Sequence, residues 1–63
     1  MRKKLKEMRT KSGLTQDKLS KELGISRASY TNIELGLKNP SLSLAIKIKA
    51  VLNYSNDDIF LNG

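Results

Sequence analysis

The sequence predicts an all-α protein, a compact bundle of five short helices. Three observations predict this class. Apolar residues recur at spacings of three and four along most of the chain, which is the period of a helix. Ser, Thr, Asn and Gly stand where such segments would begin and end. The chain has 63 residues, so we expect residues 1–63 to form a single domain.

Composition excludes several classes of protein. The chain has no Cys and no His, which removes disulfides, thiolate metal sites and the commonest general base, so we expect no metal and no cofactor. The sequence offers no paired nucleophile and base and no phosphate-binding glycine loop, and therefore predicts a protein that is not an enzyme. No apolar run approaches the roughly 20 residues of a membrane span. We expect a soluble cytoplasmic protein with no membrane partner and no small-molecule ligand.

The charge distribution favours an acidic partner. Twelve Lys and Arg stand against six Asp and Glu, for a net charge of +6. A strongly basic domain is typical of nucleic-acid binders, although a lysine-rich helix facing water has the same composition. Most of the excess lies in residues 1–13, which contain Arg2, Lys3, Lys4, Lys6, Arg9 and Lys11 against Glu7 alone.

The first three helices follow from their apolar spacing and caps. The first is predicted over residues 2–12, with Leu5 and Met8 facing inward. The second, residues 16–23, begins at the N-cap Thr15 and ends at Gly24. The third, residues 27–35, begins at the N-cap Ser26 and ends at Gly36. Two short helices joined by a turn that contains Gly form a helix-turn-helix.

Two more helical segments follow the loop 37–40. Pro40 disfavours helix at the preceding residue, and Ser41 is the predicted N-cap of a fourth helix over residues 42–52. Its inward positions are predicted at Leu42, Ala45, Ile48 and Leu52. Asn56 is the predicted cap of a last short helical turn.

Residues 14–41 resemble the Xre/Cro-type helix-turn-helix domains of bacterial and phage repressors. Because the family's domain is a bundle of about this length, the likeness extends over nearly the whole chain. The residues that carry it are Leu14–Gln16, Leu19, Gly24–Arg27, Ile33–Glu34, Gly36 and Asn39–Ser41. The resemblance implies a phage-repressor-like bundle in which helix 27–35 lies in the DNA major groove and helix 16–23 crosses the backbone. It also implies a structural bridge between Arg9 and Glu34.

Two residues depart from the family pattern. Ser20 stands where the family usually has Ala, and its hydroxyl can bond a carbonyl one turn earlier. Tyr30 stands where Ile or Val is usual, and we expect a buried ring with its hydroxyl reaching toward a phosphate.

Helix geometry indicates which residues would meet DNA. If Tyr30 and Ile33 face the core, the opposite face of their helix presents residues that can read bases. Arg27 can pair with guanine, Asn32 with adenine, and Ala28 or Thr31 can touch a thymine methyl. Gln16, Ser29 and the loop residues Lys38 and Asn39 are expected at phosphates. The predicted DNA-binding residues are Gln16, Ser26, Arg27, Ala28, Ser29, Thr31, Asn32, Lys38 and Asn39.

The predicted function is a sequence-specific transcriptional repressor that binds a palindromic operator in double-stranded DNA as a homodimer. The apolar surplus of the C-terminal third predicts the dimer interface, although the same residues could close the core of one copy. A protein-interaction module, an antitoxin-like or adaptor partner with incidental DNA binding, is the alternative function. The residues predicted at the dimer interface are Val51, Tyr54, Ile59, Phe60 and Leu61.

Overall fold

A computed structural model describes residues 1–62 and places four α-helices and one terminal 3₁₀ turn in that range. The α-helices are α1 (Lys3–Lys11), α2 (Gln16–Leu23), α3 (Arg27–Glu34) and α4 (Leu42–Val51). The 3₁₀ turn spans Asp57–Phe60. The all-α class is confirmed, and the predicted helix bounds agree with the observed ones to within one residue at each end.

The last short helical turn was predicted at the correct place, but the count of five helices and the side-chain cap at Asn56 were wrong. The terminal element is a four-residue 3₁₀ turn, and the Asn56 side chain makes no capping hydrogen bond. Such a short turn is not stable through its own backbone bonds. It stays in place because Ile59 is fully buried in the core.

Helix starts and the central turn follow the predicted local chemistry. The hydroxyls of Thr15, Ser26 and Ser41 each accept a hydrogen bond from the backbone N–H three residues later. Gly24 ends α2 in the left-handed region at φ 72°. Both features are confirmed, and together they place α3 across α2, with which it makes extensive contact.

One hydrophobic core joins the four helices and the 3₁₀ turn. On α4, Leu44, Ile48 and Leu52 face this core at a spacing of four, whereas Leu42 is 79% exposed. The prediction that Leu42 faces inward is wrong because the inward stripe of α4 passes through Leu44 instead. The fully enclosed apolar residues are Leu5, Leu19, Leu23, Tyr30, Ile33, Ile48, Leu52 and Ile59.

None of the helices in residues 1–62 is long and apolar enough to cross a bilayer.

Candidate nucleic-acid interface

The helix α3 buries one face and exposes the other. Tyr30 and Ile33 point into the core with 0% and 1% of their surface exposed. Arg27, Ala28 and Asn32 are exposed. The opposite faces of one eight-residue helix therefore serve different purposes, because the inner face anchors α3 and the outer face is available to a partner.

Three polar residues near this outer face have uncommitted side chains. Within residues 1–62, the side chains of Arg27, Asn32 and Lys38 make no hydrogen bond or ion pair. Lys38 follows α3 closely, since its backbone N–H donates to the carbonyl of Asn32 at 3.2 Å. Within the described residues, Arg27 at the start of α3, Asn32 in its second half and Lys38 after its end are therefore available to bind a ligand.

Two of the predicted DNA-binding side chains are bonded to each other and to the core. Thr31 Oγ1 donates to Gln16 Oε1 at 3.1 Å, and Gln16 Nε2 donates to Glu34 Oε2 at 2.5 Å. These bonds fix the first turn of α2 against α3. A side-chain amide has two N–H donors, so one donor of Gln16 remains for a phosphate.

The remaining three predicted residues also have internal partners. Ser26 Oγ donates to Ser29 Oγ at 3.0 Å while it accepts from the Ser29 N–H at 3.1 Å. Ser29 is half-buried and lines the cleft between α3 and the loop that leads to α4. Asn39 Oδ1 accepts from Arg2 at 2.6 Å, which leaves the two amide N–H groups of Asn39 as its available donors.

A buried carboxylate lies behind the outer face of α3. Glu34 is 1% exposed and accepts from Arg9 Nε at 2.8 Å, the pair that the resemblance implied. The same carboxylate accepts from the Tyr30 hydroxyl at 3.2 Å and from the Gln16 amide. Arg9 also donates to the carbonyl of Leu14 at 2.8 Å. Charge pairing and hydrogen bonding together satisfy Glu34 in the interior.

Burial and charge shift the pKa values of two groups in this network. Burial lowers the pKa of the Arg9 guanidinium, but the hydrogen bond and negative charge of Glu34 outweigh it and leave the pKa raised. Burial raises the pKa of the Tyr30 phenol well above its usual range, and the charge of Glu34 raises it further. Arg9 therefore stays charged and Tyr30 stays neutral at physiological pH.

The expectations for Tyr30 and Ser20 had different outcomes. The Tyr30 hydroxyl does not reach outward to a phosphate, because its ring is fully buried and the hydroxyl donates to Glu34. Ser20 does bond backward, with its hydroxyl donating to the Asp17 carbonyl at 2.7 Å. The buried Ser20 hydroxyl is thus satisfied without disturbing the packing of α2.

Arg2 is the important residue that sequence reasoning missed. Its sequence position makes it look like one member of a solvated basic run, yet it is only 2% exposed. Its guanidinium donates to Phe60 O at 2.8 Å, Lys38 O at 3.0 Å and the Asn39 side chain. No local signal identifies it, since its partners lie up to 58 residues away.

Most residues of the predicted dimer interface pack on their own core. Ile59 is 0% exposed and cannot contact a second copy, so its assignment to the interface is corrected. Val51, Tyr54 and Phe60 are partly buried against the core, and Leu61 is 67% exposed. The other strongly exposed apolar residues include Leu37, Leu42 and Ile46.

Comparison with known proteins identifies the class. The Helix-turn-helix family model HTH_3 matches residues 5–59. An uncharacterized HTH-type transcriptional regulator of Archaeoglobus fulgidus is 43% identical over 61 residues, covering 97% of this chain and 87% of that protein. MJ0272 of Methanocaldococcus jannaschii, named likewise, is 44% identical over 61 residues, covering 97% and 92% of the two chains.

A bacterial relative, the HTH-type regulator YgzD of Bacillus subtilis, is 38% identical over 60 residues, covering 95% of this chain and 91% of that protein. No solved structure matches the chain significantly. The chain belongs to the helix-turn-helix family of DNA-binding transcriptional regulators.

Proposed function

We propose that residues 1–63 form one DNA-binding domain of a transcriptional repressor that reads a palindromic operator as a homodimer. Each copy inserts α3 into the major groove and sets α2 across the backbone. The observation that carries this function is the exposed face of α3, where Arg27 and Asn32, beside Ala28, have no side-chain partner among the described residues 1–62. Arg27 forms a fork to guanine, Asn32 pairs with adenine, and Ala28 contacts a thymine methyl.

The phosphate contacts flank this face. Gln16 donates its remaining amide N–H from the first turn of α2, where free backbone N–H groups also attract an anion. Lys38 and Asn39 meet the backbone from the loop after α3, and Ser26 and Ser29 do so from its first turn. These contacts fix the position of α3 on the duplex without reading sequence.

Dimensions support two copies per operator. An eight-residue helix is about 12 Å long, enough to meet about three or four base pairs. The longest extent of one copy is 24 Å, whereas successive half-sites lie about 34 Å apart. One copy therefore cannot reach two half-sites, and a symmetric pair can.

Repression and a cytoplasmic location follow from the same binding. A dimer that occupies promoter DNA excludes the polymerase without needing any further contact or catalytic group, so neither a cofactor nor an enzymatic activity is required. In prokaryotes like those of the relatives, such DNA lies in the cytoplasm. A reporter gene behind the selected operator should fall in expression when the protein is supplied.

Selection of bound sites from random DNA, followed by salt titration, tests the function. The selected palindrome should bind at least about 10³-fold more tightly than random DNA at physiological salt. Equal binding of both would contradict sequence-specific reading and favour a protein-interaction module, for which the exposed Leu37, Leu42 and Ile46 supply an apolar surface.

Two substitutions separate base reading from phosphate binding. Arg27→Ala should cost about 1–3 kcal/mol and relax the preference at one base pair in each half-site. Lys38→Ala should weaken all sequences about equally and reduce the salt slope by about one unit. If Arg27→Ala weakened every site by the same factor, direct reading by Arg27 would be wrong.

A further inference from the structure

Within residues 1–62, the hydrogen-bond partners of the buried Arg2 guanidinium are all neutral. The guanidinium donates to the backbone oxygens of Phe60, Ile33 and Lys38 and to the side-chain oxygen of Asn39. A buried charge without hydrogen bonds would be strongly unfavourable, and these bonds occupy four of the five guanidinium donors. The arrangement is therefore specific to arginine, because Lys lacks the fork that reaches several oxygens at once.

The contacts centre on the C-terminal end of α3. The backbone N–H of Arg2 donates to Glu34 O at 2.8 Å, and its guanidinium donates to Ile33 O. Carbonyls in the last turn of a helix have no partner within the helix and carry partial negative charge. Arg2 supplies both a donor and a positive charge at this end.

The guanidinium of Arg2 and the carbonyl of Asn32 together fix the peptide groups on the two sides of Lys38. The N–H of Lys38 donates to Asn32 O at 3.2 Å, and its carbonyl accepts from Arg2 at 3.0 Å. With both neighbouring peptide groups bonded, the direction in which the Lys38 side chain leaves the backbone is determined. That side chain is exposed and makes no internal bond within residues 1–62.

Arg2 also sets the orientation of the Asn39 amide. Because a guanidinium only donates, it must face the amide oxygen, and the 2.6 Å contact to Oδ1 turns the two amide N–H groups away from Arg2. Those N–H groups are the ones a phosphate accepts. Without Arg2, the exposed Asn39 side chain would be free to present its oxygen, which repels a phosphate.

We propose that Arg2 is a positioning residue of the DNA-binding surface. It touches no DNA and acts by holding Lys38 and Asn39 in the arrangement that binds one phosphate per copy. The inference rests on the proposed function, and it extends the binding machinery to a residue at the opposite end of the sequence.

Two variants of Arg2 and two control variants of the full chain test this role. Arg2→Met keeps an unbranched apolar side chain but removes the charge and the fork, and Arg2→Lys keeps the charge without the fork. Lys3→Met removes the neighbouring exposed charge and controls for general electrostatic attraction. Ile48→Val removes one methyl group from the buried face of α4 and controls for a general loss of stability. All binding is measured at a temperature where each variant is folded.

The first readout is binding to the selected operator. Arg2→Met and Arg2→Lys should each bind about tenfold more weakly, and Arg2→Met should reduce the salt slope by about one unit. Adding Lys38→Ala to Arg2→Met should then cost little more than either change alone. Lys3→Met should combine additively with Lys38→Ala, and Ile48→Val should leave the salt slope unchanged.

The second readout is amide hydrogen exchange in the free protein. The Leu37 and Lys38 amides, both bonded to Asn32 O, should exchange at least about tenfold faster in Arg2→Lys, relative to the Tyr54 amide, which is bonded to Lys49 O. This readout needs no DNA, and Arg2→Lys supplies it even if Arg2→Met does not fold.

The outcomes separate the two proposals. If the unaltered protein binds no DNA selectively, the proposed function fails, while hydrogen exchange still decides whether Arg2 orders the loop. If the protein binds and Arg2→Lys speeds loop exchange without weakening binding, the positioning role is overturned. Strict additivity between Arg2→Met and Lys38→Ala would overturn it as well.

Discussion

At the scale of single residues, the buried carboxylate of Glu34 fixes α3 against α1 and α2 and so determines how the exposed face of α3 is positioned. Glu34 accepts from three side chains belonging to α1, α2 and α3, and it is almost completely buried. Alanine at this position would leave Arg9 and Gln16 without their shared acceptor. The carboxylate therefore connects the three helices as well as balancing the charge of Arg9.

The Arg9–Glu34 pair should couple strongly in a double-mutant cycle. Arg9→Ala or Glu34→Ala removes one partner and leaves the other poorly compensated, which should cost about 3 kcal/mol in each case. The double variant should be little worse than either single variant. Urea denaturation of the four proteins measures the coupling free energy.

A matched control for this cycle is the exposed ion pair between Asp17 and Lys21. Its atoms lie 3.2 Å apart, but its side chains are 53% and 76% exposed. Its coupling free energy should stay below about 0.5 kcal/mol, because water screens the pair. Equal coupling in the two cycles would contradict the importance of burial.

Tyr30 should make stability depend on alkaline pH. Its pKa is raised in the folded chain from an unfolded value of about 10, so its contribution is fully present below pH 10 and is lost as pH rises above that. The free energy of unfolding should therefore fall by about 1.4 kcal/mol per pH unit above 10. Tyr30→Phe should be less stable at neutral pH but should lack this part of the decline.

Tyr54 provides the comparison for that titration. Its hydroxyl donates to Asp58 at 2.8 Å, and this bond raises its pKa, yet the hydroxyl is exposed. Tyr54→Phe leaves Tyr30 as the tyrosine whose ionisation is observed. In this variant, tyrosinate absorbance should appear only together with unfolding, because Tyr30 is buried. Ionisation of Tyr30 in a protein that is still folded would contradict its burial.

At the scale of the elements, the turn between α2 and α3 determines how α3 is presented. Gly24 has φ 72°, and a Cβ there would meet no heavy atom within 4 Å. Space is therefore available to a larger side chain, and the obstacle is the left-handed backbone conformation. The turn depends on glycine for a conformational reason alone.

Gly24→Ala should lower stability by about 1 kcal/mol, since Ala is strained in the left-handed region. Gly24→Asn should lose less, because Asn tolerates this conformation. The midpoint of urea unfolding should shift without a change in slope. If Gly24→Asn lost more stability than Gly24→Ala, side-chain volume rather than backbone strain would be responsible.

At the scale of the whole molecule, the exposed apolar surface is distributed differently from the prediction. The C-terminal third buries Ile59 and partly buries Phe60, so Leu61 is the strongly exposed member of the predicted interface. Leu42 and Ile46 form a separate exposed pair one turn apart on α4. Two surfaces therefore compete as contacts for a second copy.

We expect the homodimer to use the C-terminal surface formed by Val51, Tyr54, Phe60 and Leu61. Leu61→Glu should weaken dimerisation at least about tenfold, because a charge would be placed in an apolar contact. Ile46→Glu, on α4, is the matched control and should leave the association unchanged. Sedimentation equilibrium at micromolar concentration measures both. A monomer that binds a palindrome without cooperativity would contradict the dimer.

The sequence alone determined the features that depend on neighbouring residues. Helix starts at Thr15, Ser26 and Ser41 and the stop at Gly24 follow from hydrogen bonds and backbone angles within about one turn. The exposed position of Arg27 follows from the helical period once Tyr30 is assigned to the core. Such features need no knowledge of distant parts of the chain.

Only the tertiary structure decided which of the remaining groups are buried. Arg2 reads as a surface cation, yet it bonds oxygens of Phe60 and Lys38, 58 and 36 residues away. Ile59 was predicted at the dimer contact, with the core as the alternative, and packing against α1 buries it. Burial depends on which distant segments meet, and periodicity along the chain carries no information about those meetings.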